Sequence, residues 1–349
     1  MAPLSTLSCT MFSLLLCGPE TISFGSPVPS PIGLMSDNAD TLGKLRAQID
    51  EIDTEIHDLL IRRTEIAEQV GKAKGKGAVY LRPGREAQVL RRLVERHTGV
   101  LPKAAVVRVW REIFSSATTL QGDLSIAVYA PEHDPDLYTL ARDHFGALTP
   151  ISTYGTVSGV MRAVSDRRAT AGVLPVPQSE DSESWWRYLA RDFEDAPRIT
   201  AKLPFTKTDA SSRNRIEALT ISFVPQEDTG DDRSYVIVET AEEMSRSGIR
   251  ALFSDVGMET ADVQTPDREP GSPMHLVEVL GYVGPDDARL VRLKEENENK
   301  IAWVWAAGGY AVPMDLGLDG ASAAAQTSND PSLVLRAPAA GADEPGRSE

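Results

Sequence analysis

Two cations on one helical stretch are the first candidates for chemistry. Lys74 follows Arg63 by 11 residues, about three turns with roughly 20° of angular drift, so the two share a face some 16 Å apart along the axis. Long side chains at that spacing can lean toward one molecule held between them. Arg46 lies 28 residues before Lys74, roughly 42 Å away on a straight helix. One small ligand cannot touch both within a chain, so a functional Arg46 has to serve the pocket of a second copy. Arg85 and Glu86 follow in "RPGREAQVL", and Gln121 closes "WREIFSSATTLQG". Singly, each has a plain reading: Arg63 as a surface ion-pair partner, Lys74 as a cation at a helix C-terminus, Arg85–Glu86 as first-turn charge, and Gln121 as a polar helix end.

The elements that must position them are helices. Leu45, Ile49, Ile52, Ile56, Leu59, Ile66 and Val70 draw one apolar stripe down a stretch without proline. Asp40 is the expected N-cap, and Gly75 and Gly77 the stop. The stretch "EQVGKAKGKG" is therefore a helix end. It is not a nucleotide loop, because no Ser or Thr follows Lys76. A second helix is expected from Arg85 to Arg96 after the Pro83–Gly84 turn, and a third with Pro102 near its first turn and Gly122 beyond its end. A long helix of about 50 Å has an apolar stripe that two shorter ones cannot cover. That excess of apolar surface predicts an intertwined homodimer.

The chain has 349 residues and a formal net charge of −15, yet residues 35–123 hold fifteen Lys/Arg against thirteen Asp/Glu. Without a dense positive face a nucleic-acid partner is excluded; a small anionic substrate in one pocket fits. Cys9 and Cys17 are the only cysteines and the five histidines are scattered, so neither thiolate nor metal chemistry is expected. No run of about 20 apolar residues could span a membrane. "TMFSLLLCGP" resembles a short signal core but lacks a preceding basic residue. Met35 is therefore read as the natural start and the protein as cytoplasmic. After Asp123 "LSIAVYAP", "TAGVLPVP", "EALTISFV" and "SYVIVET" read as strands and "DLYTLARDHFG" as a helix, an α/β texture. From about Leu318 the chain is Ala/Ser/Gly/Pro-rich and reads as a disordered tail.

With these residues in view, "LRAQIDEIDTEIHDLLIRRTEIAEQVGKAK", "RPGREAQVL" and "WREIFSSATTLQG" resemble the all-helical AroQ-type chorismate mutases over roughly Leu42 to Gln121. The resemblance implies a three-helix domain, an intertwined dimer, and conversion of chorismate to prephenate by an intramolecular Claisen rearrangement with no cofactor and no metal. It implies roles as well. Arg46 of the opposite subunit and Arg63 would pair with the two substrate carboxylates, as forked guanidiniums do. Lys74 would contact a carboxylate and the ether oxygen, and Gln121 would donate to the same oxygen as charge grows there. Glu86 would hold the ring hydroxyl, with Arg85 completing the cationic wall. Two departures stand out. Arg82, carried as a further substrate-binding candidate, occupies the place of a hydroxyl-binding Asp in many relatives. Ala117 stands for a Ser.

The remainder resembles, more weakly, the prephenate dehydratase and ACT regions that follow this mutase in bifunctional P-proteins. The order of segments fits, but the chemistry-bearing pieces differ. "APEHD" (130–134) stands for Gly-Pro-x-Gly-Thr, Val176-Pro177-Gln178-Ser179 for Val-Glu-Asn-Ser, and Ile216-Glu217-Ala218 for Thr-Arg-Phe. "VQTP" (263–266) stands for the phenylalanine-sensing Glu-Ser-Arg-Pro. Without the threonine and arginine, loss of water and carbon dioxide has no evident donor. The expected organisation is a leader over 1–38, a mutase domain over 39–123, a degenerate periplasmic-binding-like α/β domain over 124–228, an ACT-like α+β region over 229–317, and a tail over 318–349. The alternatives are a bifunctional mutase/dehydratase and a non-catalytic sensor of aromatic amino acids.

Overall fold

The computed structural model describes residues 32–75, 80–131, 136–179, 183–190, 196–207, 216–266 and 273–316. Cys9, Cys17, Gly77, residues 132–134 of "APEHD", most of the expected leader and the expected tail lie outside them.

Helix α1 spans Ile32–Lys74. It starts ahead of Asp40, which is thus an interior helical residue and not the expected N-cap. The sequence from Ile32 to Asp40 holds one glycine and no proline to stop the helix from extending backwards. At the other end Gly75 has φ +83°, a left-handed conformation that favours glycine. Lys72 and Lys74 occupy the last turn, where cations favour the helix dipole.

The chain divides into two compact units, residues 1–62 and 63–349. What is described of the first is helix alone. Leu45, Ile49, Ile52, Ile56 and Leu59, its expected apolar stripe, are each at least 50% exposed.

In the second unit, α2 (Pro83–Arg96) and α3 (Lys103–Gln121) pack through Leu90, Val107 and Phe114, which share a core with Phe205 and Leu316. Then come β1 (Ile126–Tyr129), α4 (Asp136–Phe145), β2 (Ile151–Tyr154), α5 (Val157–Ser165) and β3 (Ala171–Pro175). β1 lies between β2 and β3, parallel to both, as expected of βαβ crossovers. β4 (Arg198–Leu203), the short β5 (Thr206–Lys207) and β6 (Ala218–Ser222) follow, with β6 antiparallel to β3 and β4.

The next elements are β7 (Asp232–Thr240), α6 (Arg246–Asp255), β8 (Thr260–Gln264), β9 (Met274–Leu280), α7 (Ala288–Glu295), β10 (Ile301–Ala311) and β11 (Met314–Asp315). From β7 to β10 this is a βαββαβ unit with antiparallel order β10-β7-β9-β8, the ferredoxin-like arrangement. β10 also pairs with β4 at Gly308↔Ile199, so all of it belongs to one nine-stranded sheet. Gly308 has φ +97°, and a Cβ there would collide with the Ile199 backbone. The expected boundary between residues 228 and 229 falls between β6 and β7, inside that sheet. Among the described residues no helix is long and apolar enough to cross a membrane.

Candidate active site

The last turns of α1, the first two turns of α2 and the C-terminal half of α3 enclose a cavity of about 440 Å³. Six of the seven candidates line it: Arg63, Lys74, Arg82, Arg85, Glu86 and Gln121. Arg46, in the first unit, does not. Helical spacing puts Arg63 and Lys74 on one wall, and the Pro83–Gly84 start of α2 turns Arg85 and Glu86 toward it. α3 then delivers its last residue, Gln121. Gly71 permits this approach: a Cβ at that position would lie 2.9 Å from Gln121 Cγ.

Glu86 is the buried charge. Its Oε2 accepts a hydrogen bond from Arg111 Nη1 at 2.8 Å, and the two side chains are 15% and 6% exposed. Burial raises the Glu86 carboxyl above its usual range, and Arg111 holds it down. Burial likewise lowers the Arg111 guanidinium, with Glu86 opposing. Arg63, half-buried, lies 5.6 Å above the Phe114 ring; desolvation lowers its pKa and the charge of Glu86 offsets part of that. Lys74 Nζ sits 5.9 Å from the centre of the Tyr80 ring. Gln121 Nε2 donates to the Ala117 carbonyl at 3.0 Å.

Arg82 is engaged elsewhere. Its Nε donates to Glu227 Oε1 at 2.6 Å, while the backbone N–H of Arg85 donates to Glu227 Oε2 at 3.0 Å. Glu227, from the segment after β6, thereby caps α2, which has no cap of its own from Arg82.

Sequence reasoning missed Arg92, Trp110 and Phe114, which also line the cavity. Arg92 was within reach, seven residues or two turns beyond Arg85 on the same face. Trp110 and Phe114 read as core, since an aromatic at helical spacing carries no sign of a ligand wall. Ala117 lines the cavity and Ser116 is exposed.

The cavity walls carry five cations (Arg63, Lys74, Arg82, Arg85, Arg92) against one carboxylate (Glu86). Neither Cys nor His is among the lining residues. Such a wall can hold a small dianion, fix its shape and stabilise charge that develops on it.

Of the positions expected to carry dehydratase chemistry, Val176, Pro177 and Gln178 line a separate cavity of about 210 Å³ at the end of β3, together with Lys202, Tyr235 and Glu278. Glu217, at the place of the Arg in Thr-Arg-Phe, pairs with Lys202 at 2.8 Å, and Glu278 takes the Tyr310 hydroxyl.

Helices around a cation-rich cavity with one buried carboxylate define an anion-binding type of site. The family described as chorismate mutase type II matches residues 45–122, and the chain carries that domain at its N-terminal side. The bifunctional chorismate mutase/prephenate dehydratase of Neisseria gonorrhoeae is 37% identical over 136 residues, 39% of this chain and 37% of that protein. That of Stutzerimonas stutzeri is 34% identical over 149 residues, 41% of this chain and 40% of its own. The chain thus covers about two fifths of the length of these curated relatives. A solved prephenate dehydratase from Staphylococcus aureus aligns with 54% of this chain and all of its own, at 10% identity and a TM-score of 0.41, a likeness too loose to assign a fold.

Proposed function

We propose that the protein is an AroQ-type chorismate mutase acting as an intertwined cytoplasmic homodimer. The reading is carried by one observation: Arg63, Lys74, Arg85, Glu86 and Gln121 converge on a single cavity within the segment that matches the mutase family. Arg63 and an Arg46 supplied by the second subunit pair with the two carboxylates of chorismate. Lys74 and Gln121 face the ether oxygen, where negative charge grows as the carbon–oxygen bond breaks, and Glu86 accepts from the ring hydroxyl. Arg85, Arg82 and Arg92 complete the positive wall, although the bond from Arg82 to Glu227 limits it to a long-range contribution. The site needs no nucleophile and no proton shuttle. It holds the enolpyruvyl arm over the ring and meets the developing charge with fixed donors. The stripe left exposed on α1 supports the dimer, because a second copy is the surface that can cover it.

The α/β wing from β1 to β6 is read as the periplasmic-binding-like domain without dehydratase activity, and the βαββαβ unit as ACT-like. Both act as scaffold or regulatory parts. The test is disappearance of chorismate on adding purified protein, with Lys74→Ala expected to lower kcat/KM by roughly 10²–10³. Unchanged turnover in that variant would remove the assigned role. Prephenate supplied directly should yield no phenylpyruvate.

A further inference from the structure

Arg111 lines one cavity and holds a wall residue of another. One side of its guanidinium holds Glu86. The other lines a separate cavity of about 280 Å³ between α3, α4 and the segment joining β4 to β5. Arg111 is only 5% exposed, and Nη1 to Glu86 is its sole hydrogen bond among the described residues. Nε and Nη2 meet no protein acceptor among the described residues and are not sealed from solvent, so a ligand in the cavity this residue lines can take them. His144 lines the same cavity and likewise has no hydrogen-bond partner among the described residues. Burial, and then the charge of Arg111, depress its imidazole well below the usual value, so it is neutral and offers one N–H. At the rim Arg108 is tied to Asp143 at 2.9 Å. Apart from Thr206 the remaining wall is apolar, with Val107, Leu140, Leu203 and Phe205 the large side chains and the Arg111 guanidinium 5.2 Å over the Phe205 ring.

We propose that this cavity is a second ligand site, one that takes a small amphipathic monocarboxylate with its carboxylate on Arg111 and its apolar body against Leu140, Leu203 and Phe205. A guanidinium that lines one cavity and is bonded to the Glu86 of the other couples them. A carboxylate drawn onto Arg111 competes with Glu86 for it, leaves Glu86 more readily protonated, and so weakens the acceptor that the mutase cavity presents. By linkage each ligand lowers the affinity of the other. This coupling, though not the site itself, rests on the mutase reading.

The probe is 3-phenylpropionate, titrated calorimetrically into the full-length protein beside its uncharged amide. The acid should bind about ten- to a hundredfold more tightly than the amide, the value of a charged hydrogen bond in a buried place. Ala104→Phe fills the cavity from the first turn of α3 while keeping the Arg111 side chain, and should abolish binding. Arg111→Gln should weaken it by a similar ten- to hundredfold. Lys74→Ala, which disables the other cavity, should leave binding intact. In turnover assays 3-phenylpropionate should raise KM for chorismate in the unaltered protein and leave it unchanged in Ala104→Phe. No binding, equal binding of acid and amide, binding that survives Ala104→Phe, or binding lost in Lys74→Ala each overturns the site. A protein that binds the acid in this pattern but never turns over chorismate sinks the mutase reading and leaves the site standing.

Discussion

Gly71→Ala separates geometry from mere composition at the mutase cavity. The new methyl would lie 2.9 Å from Gln121 Cγ and 3.3 Å from its Cβ, where unstrained carbons keep about 3.5–4.0 Å. The Gln121 Cα, at 3.5 Å, can stay. The side chain must therefore swing, which breaks its bond to the Ala117 carbonyl and moves its amide by the better part of an ångström. For stability two effects oppose each other. Alanine gains about 1 kcal/mol of helix propensity, whereas overpacking costs about 1–3 kcal/mol. The fold should survive with a change of at most about 2 kcal/mol. Catalysis has no such compensation: a misplacement of this size costs on the order of 10², close to the loss of one transition-state donor. The expected result is a kcat lower by about 10² with KM altered less than about threefold, because the damage falls on a contact made chiefly in the transition state. A double-mutant cycle gives the decisive measurement. In Gln121→Ala the clashing atoms are gone, so adding Gly71→Ala should cost almost nothing further. If the two losses multiply, or if Gly71→Ala alone keeps full kcat, Gln121 is not the group that Gly71 positions.

Arg46→Ala and Lys74→Ala should each be inactive alone, yet co-expressed they should recover roughly a quarter of the activity, since half of randomly paired dimers hold one intact site; purified mixed dimers with no activity would place Arg46 in its own chain's cavity. His275, 1% exposed and bonded to Thr265 Oγ1 at 2.9 Å, is pushed down to about 4 by burial. Its unfolded value lies near 6.5, so its neutral native form is fully stabilising above that pH and loses ground as the pH falls from 6.5 toward 4. Urea titrations should show a loss of about 2.5 kcal/mol between pH 7 and 4.5 from this group, and His275→Gln should flatten that slope.

Much of the cavity was legible because its residues obey helical arithmetic. Arg63 and Lys74, Arg85 and Glu86, and Gln121 before Gly122 each follow from spacing and end signals along the chain. Partners distant in sequence are another matter. Arg111 sits in "WREIF", a run quoted for its resemblance with no role given to its arginine, and nothing local says that it meets Glu86 across two helices. The start of α1 went astray because a good N-cap residue, Asp40, does not stop a helix unless the chain before it resists helix. The single sheet was hidden for a related reason. The paired residues of β4 and β10, Ile199 and Gly308, lie more than a hundred residues apart, and the one that admits the pairing, Gly308, reads in "WAAGGYA" as an ordinary small residue of a strand.

Those distant partners give the second half of the chain a physical task beside the mutase cavity. Glu227 supplies the acceptor for the Arg85 N–H and ties down Arg82, and Gly84 leaves room for it, since a Cβ there would lie 2.7 Å from Glu227 Cβ. Nearly two turns further along α2, Arg91 donates to the carbonyls of Asp231 and Val312 at 2.7 and 2.9 Å. The helix that presents Arg85 and Glu86 is therefore held by residues distant in sequence, from the segment that joins the two halves of the sheet and from the end of β10. A fragment of residues 35–123 would lack all of these bonds. Glu227→Ala tests their weight within the whole chain. Loss of the cap should cost about 0.5–2 kcal/mol of stability, and release of Arg82 should add a mobile cation to the cavity mouth. Since Glu227 also raises the Glu86 carboxyl through its charge, its removal should lower the pH at which Glu86 takes up a proton. The acid limb of the kcat/KM profile should then move to lower pH while stability falls. Glu227→Gln keeps the shape and an acceptor oxygen, so it should restore much of the stability and retain the shifted limb. If instead both variants leave stability and pH profile unchanged, and the 35–123 fragment turns over chorismate like the full chain, α2 needs no hold from the second half.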